Sequence, residues 1–120
     1  MDAQNTSKVL SDENVLRILA ATFNESMSAR DLSMKFGIPI AACYRKIKEL
    51  EAMKLLVCTD RYLSKSGRWA RRYRSQVINA YMFFQNGQLK VKLELSSYPA
   101  SEVESTWDPL DTTVAIEATV

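Results

Sequence analysis

Ile38-Pro39-Ile40-Ala41-Ala42-Cys43-Tyr44-Arg45-Lys46-Ile47-Lys48-Glu49-Leu50-Glu51-Ala52-Met53 decides the fold. Ile40, Cys43, Ile47, Leu50 and Met53 recur at steps of three or four and stripe one face of a helix, while Arg45, Lys46, Lys48 and Glu49 fall elsewhere. One face packs and another is left to meet a partner. Pro39 suits a helix start, because its missing N–H would be an orphan donor there, and Gly37 suits the end of a preceding helix. A helix stops, the chain turns and a basic amphipathic helix begins. That is the layout of a helix-turn-helix, whose second helix enters a DNA major groove.

Upstream, residues 1–10 read as a frayed lead-in. Ser11 is placed to cap a first helix with Asp12 and Glu13 in its opening turn, where the dipole favours acids. Val15, Leu16, Ile18, Leu19, Thr22 and Phe23 follow helical spacing, so that helix runs over about 12–22 and belongs to the core. Met27 marks a short extended piece. Ser28 and Asp31 form a variant of the capping box and open a short second helix over 29–36, with Leu32 and Phe36 inward. The third helix covers 39–53 and ends at Lys54, where glycine is expected.

Downstream, Leu55–Leu63 and Trp69–Ser75 read as two strands around the turn Ser64-Lys65-Ser66-Gly67-Arg68, a β-hairpin with a basic tip. A second hairpin follows. Gln76 to Phe84 leads through Gln85-Asn86-Gly87-Gln88, with Asn-Gly a preferred tight-hairpin loop, into Leu89, Val91, Leu93 and Leu95 alternating with Lys90, Lys92 and Glu94. The apolar face of that sheet needs a cover, from the helices, from the chain's last segment or from a second copy. Tyr81, Met82, Phe83 and Phe84 are apolar enough for either a dimer interface or a core. Residues 96–111 read as a loop, and Thr112–Ile116 as a last strand. Asp108 and Asp111 flank a Pro-Leu turn, where an Asx turn is expected.

Of the 120 residues, 47% are hydrophobic and 25% charged, the range of an ordinary soluble domain. The net charge of +2 conceals a division. Residues 1–99 hold all 16 basic residues against nine acids, and residues 100–120 hold five acids alone. Within 45–74 ten Lys and Arg face three acids, the clustering expected of a polyanion binder. A polar start without a basic-then-apolar layout, and no run near eighteen apolar residues, point to a cytoplasmic protein with no membrane partner. With no histidine and with Cys43 and Cys58 far apart, His-ligated zinc, His-based catalysis and a disulfide framework are disfavoured. No Gly-rich phosphate loop or interpretable carboxylate pair is present, so no enzyme activity, metal or cofactor is expected.

Three helices and then a hairpin is the winged-helix order. Ser28-Ala29-Arg30-Asp31-Leu32, Phe36-Gly37-Ile38-Pro39 and Tyr44-Arg45-Lys46-Ile47-Lys48-Glu49-Leu50-Glu51, followed by Gly67-Arg68, Tyr73-Arg74-Ser75 and Asn86-Gly87, resemble the ArsR-like winged-helix regulators common in archaea. The resemblance covers about residues 12–95. It implies a homodimeric DNA-binding transcriptional regulator whose third helix reads the major groove through Ala41, Ala42, Tyr44, Arg45 and Lys48. The wing, with Lys65, Arg68, Arg71 and Arg72, would touch backbone or minor groove. The chain departs from metal-sensing members, which carry paired cysteines on that helix, by having Cys43 alone.

The expectation is therefore an α+β chain. A winged helix-turn-helix spans 1–75, with recognition helix 39–53 and wing 56–75, and a C-terminal β-hairpin extension with an acidic segment spans 76–120. Arg45 suits a guanine edge, Ala41 or Ala42 a thymine methyl, and Lys46 and Lys48 phosphates. Tyr44 either touches the DNA backbone or covers the junction with the second helix. Arg74 either joins the wing, braces the sheet or pairs with Glu94. Trp69 and Tyr73, interleaved with the wing arginines, are expected in core or sheet packing, with base stacking on single strands as the alternative, and Trp107 as an anchor for the last segment. The alternatives to a DNA-binding regulator are a protein-interaction module, whose basic face docks on an acidic partner or on the chain's own acidic segment, and a small-molecule-sensing regulator.

Overall fold

The computed structural model describes residues 2–96 and 101–111. The expected strand at 112–116 lies outside them. The described chain is α+β, with helices α1 (Ala3–Leu10), α2 (Glu13–Ala21), α3 (Ala29–Phe36) and α4 (Ile40–Ala52). The strands are β1 (Met27–Ser28), β2 (Leu56–Leu63), β3 (Trp69–Ser75), β4 (Val77–Gln85), β5 (Gln88–Leu95) and β6 (Ser101–Trp107). They form two antiparallel sheets, in the orders β1-β3-β2 and β4-β5-β6.

Residues 1–10 are not a lead-in. Asp2 caps α1 by accepting from the Gln4 and Asn5 amides at 3.0 and 3.4 Å. Ala3, Thr6, Val9 and Leu10 then bury one face, which lies against β5 and β6. That face is helically spaced, but alanine and threonine make it weakly apolar. α1 also supplies the missing cover, since Val91, Leu93 and Leu95 of β5 are buried with it in one core.

α2 is capped by Asp12 and not by Ser11. The Asp12 carboxylate accepts from the Asn14 and Val15 amides at 2.8 and 3.2 Å, while the Ser11 hydroxyl turns back to the Ser7 carbonyl. Val15, Ile18, Leu19 and Thr22 are buried as expected, whereas Leu16 and Phe23 stand about half exposed. At α3 the capping box forms as read, with the Ser28 hydroxyl accepting from the Asp31 amide and the Asp31 carboxylate from the Ser28 amide. Gly37 ends the helix at φ 65°, a left-handed conformation that glycine adopts without a Cβ penalty.

Cys43, Ile47 and Leu50 hold α4 against the core, and the Cys43 thiol donates to the Ala29 carbonyl at 3.3 Å. Burial raises that thiol above its ordinary pKa. Ile40 does not belong to the buried stripe: it is 45% exposed, and Ile38, just before the helix, is buried instead. Lys54 stands where glycine was expected and takes glycine's conformation, φ 62°. Its amide donates to the Glu51 carbonyl and the Leu55 amide to the Leu50 carbonyl, both at 2.9 Å, which closes the helix in a Schellman motif with Leu55 buried.

Only Gln76 separates the two sheets. Its amide donates to the Leu55 carbonyl at 2.9 Å, and its carbonyl accepts from the Ser96 amide at 2.7 Å. The β4–β5 turn places Asn86 and Gly87 both at positive φ, as a tight hairpin requires. Residues 101–107, expected in a loop, form β6 beside β5. Val103 and Trp107 of β6 pack on the core, so Trp107 does anchor this segment. The Asp108 carboxylate accepts from the Leu110 amide at 2.9 Å, the expected Asx turn.

Candidate functional site

Between α4 and the β2–β3 hairpin lies a groove of about 970 Å³, whose α4 wall carries Tyr44, Arg45 and Lys48. Helical spacing sends these side chains away from the buried Cys43–Ile47–Leu50 stripe, and Tyr44 is 55% exposed. The opposite wall is the hairpin, from which Tyr62, Arg68, Trp69 and Arg71 face the groove. The first turn of α3 adds Arg30 at the end nearest its capping box. The floor includes Tyr73, buried, with its phenol pushed above the ordinary range first by burial and then by the Glu51 carboxylate.

Five cations, Arg30, Arg45, Lys48, Arg68 and Arg71, thus meet in one groove beside a single acid, Glu51. Among the described residues none of the five makes an ion pair. The pairs that do form use other cations: Arg17 with Glu13, Lys46 with Asp12, Arg72 with Asp60 and Lys92 with Glu102. A groove lined by unpaired charges of one sign concentrates anions, and guanidinium forks match phosphate or guanine edges.

The remaining candidate residues lie outside this convergence. Lys46 bridges α4 to the α2 cap at 2.5 Å from Asp12. Arg72 stacks over the Tyr62 ring at 3.9 Å while pairing with Asp60 at 2.8 Å. Lys65 is exposed at the hairpin tip, next to Ser64 and Ser66, whose hydroxyls are 2.9 Å apart. Ala41 is exposed in the first turn of α4, and Ala42 packs partly on the core. Arg74 braces the sheet and does not pair with Glu94: its Nε donates to the Phe23 carbonyl at 3.4 Å, and Glu94 accepts from Asn79.

Arg30 and Trp69 of the groove were not among the residues expected to meet DNA. Trp69 was expected in packing but is 72% exposed, because it begins β3 beyond the reach of the helices and faces Leu63, itself 59% exposed. Arg30 was read only as part of a helix start; its signal was its place in the first turn of the helix preceding α4. A second groove, about 990 Å³, lies between α1, the end of α4, β2 and the β5–β6 pair, and the buried Thr6 hydroxyl on it has no hydrogen-bond partner among the described residues. A small-molecule-sensing role depends on that place between the second hairpin and the helices. Among the described residues no cluster of His, Cys, Asp or Glu could hold a metal ion, and no helix is long and apolar enough to cross a membrane.

No protein-family model matches the chain, and no curated protein matches it. The functional reading rests on the groove.

Proposed function

We propose that the chain is a sequence-specific double-stranded DNA-binding transcriptional regulator of winged-helix type, resembling the ArsR-like regulators, acting as a homodimer in the cytoplasm. The observation that carries this reading is the set of five cations, none with an ion-pair partner among the described residues, on α3, α4 and the β2–β3 hairpin along one groove. In this reading α4 is the recognition helix and enters the major groove. Arg45 meets a base edge, and Arg30 and Lys48 hold phosphates beside it. The hairpin is the wing. Arg68, Arg71 and Lys65 follow the flanking backbone, and the exposed Trp69 gives it an apolar surface to lay against sugar or a partly opened base step.

This division of roles has a direct test in fluorescence anisotropy on a preferred duplex and on random duplexes. Arg45→Ala is expected to lose about 1–3 kcal/mol on the preferred sequence and little on random DNA. Lys65→Ala is expected to weaken both alike. Equal losses on both duplexes for Arg45→Ala would remove the base-reading role.

A further inference from the structure

β4 is the edge of its sheet, and among the described residues no strand pairs with its outer side. A nine-residue edge presents a long open row of backbone donors and acceptors. Native edges of this kind are usually guarded by lysine, proline or an inward charge, and Val77-Ile78-Asn79-Ala80-Tyr81-Met82-Phe83-Phe84-Gln85 holds none of these. Its neighbours differ, with Lys90, Lys92 and Glu94 on β5 and Glu102 and Glu104 on β6. β4 is also apolar on both faces. Ala80, Met82 and Phe84 lie opposite Leu93, Val91 and Leu89 on the core side, and Tyr81 and Phe83 lie opposite Lys92 and Lys90 on the other. Tyr81, Met82 and Phe83 are each more than 40% exposed, and Phe84 is 69% exposed.

We propose that the outer edge of β4 pairs antiparallel with β4 of a second copy of this chain, joining two three-stranded sheets into one across a twofold axis at Met82. The choice of occupant follows from charge. A twofold sets a strand against itself, so any charge on it would meet or neighbour its own sign, and this strand has no charge. The register follows from the bulge between Val77 and Asn79, which leaves Asn79–Gln85 as the regular stretch with Met82 at its centre. With the axis there, Ala80 faces the partner's Phe84, small against large. Tyr81 faces the partner's Phe83, ring against ring, and Asn79 faces the partner's Gln85, amide against amide. The inference rests on the homodimer of the proposed function and not on its DNA binding, and its test contains no nucleic acid, so the two can fail separately.

The test is the mass of the full chain by sedimentation or light scattering, with amide exchange over residues 79–85 at low and high protein concentration. A dimer whose β4 amides gain protection as concentration rises is expected. A monomer at micromolar to millimolar concentration overturns the proposal. Protection of these amides where the measured mass is that of a monomer also overturns it, since the edge would then be covered from within the chain.

Two charge variants locate the axis. Tyr81→Lys/Phe83→Lys sets lysines opposite one another, and Tyr81→Glu/Phe83→Glu sets glutamates opposite one another. Each is expected to weaken the dimer roughly tenfold or more, and an equimolar mixture to recover it as a heterodimer. Folded variants that stay dimeric on their own place the interface elsewhere and overturn the proposal. Should both variants unfold by circular dichroism, the mass and exchange of the unaltered chain decide it.

Discussion

Lys54 adopts φ 62°, a conformation that costs a side chain roughly 1–2 kcal/mol and glycine almost nothing. The Schellman hydrogen bonds and the buried Leu55 hold it there. Lys54→Gly is therefore expected to raise stability by about 1 kcal/mol after the greater freedom of the unfolded glycine is subtracted, as read by urea denaturation. A loss of stability would show that the lysine side chain contributes something its contacts do not explain. The sequence made the need for a left-handed residue legible, through the end of the apolar stripe, but not that a lysine would meet it. The same holds at the site. Arg45 and Lys48 follow from helical spacing, because a stripe that buries Cys43, Ile47 and Leu50 leaves them outward. Which basic residues are already engaged does not follow. Lys46 and Arg72 depend on Asp12 and Asp60, each at least twelve positions away in the chain.

At the scale of elements, strong periodic patterns were legible and weak ones were not. α3, α4 and both hairpins appear close to where apolar spacing, Ser28, Gly37 and Asn86-Gly87 put them. α1 and β6 were missed because their inward faces are built from Ala3, Thr6, Ser105 and Val103 beside only a few large apolar groups. The junction of α2 with α4 has its own signature. Asp12 both caps α2 and binds Lys46, and the Lys46 ammonium, followed by the Val15 and Asn14 amides, holds its carboxyl below the usual carboxylate range.

A carboxyl lowered in the folded state contributes stability above its unfolded pKa and loses it as pH falls through the folded one. Asn caps a helix about as well as Asp, so Asp12→Asn isolates the charge. The variant is expected to be less stable than the unaltered chain at pH 7 by under about 1 kcal/mol, because solvent screens this partly exposed pair. The difference should close only as pH falls through the lowered pKa of Asp12, below the usual carboxylate range, once both side chains are neutral. Thermal melts from pH 7 to below that range read this, and a difference that persists at the acid end would place the effect in capping geometry and not in charge.

Across the whole molecule the charges are sorted between the two sheets. The β1-β3-β2 sheet and α4 carry the basic groove. The described part of the acidic segment forms β6 on the other sheet, where Lys92 pairs with Glu102 at 3.0 Å. None of the groove's lining residues comes from β6, so these acids do not occupy it. The charge count over 45–74 made a basic face legible. The narrowing of ten basic residues to the few that converge, and the recruitment of Arg30, required the fold. Pairing of β4 edges would give the molecule two such grooves related by a twofold, and a twofold reader matches an inverted pair of half-sites.

The most direct measurement is a selection of bound duplexes from a random pool at low salt, followed by titration of the selected duplex at rising salt. Enrichment of a short motif, in inverted pairs, with affinity falling steeply as salt rises, is the expected result. A pool that does not bind at low salt, or that binds without any enrichment, would contradict sequence-specific DNA recognition by the groove.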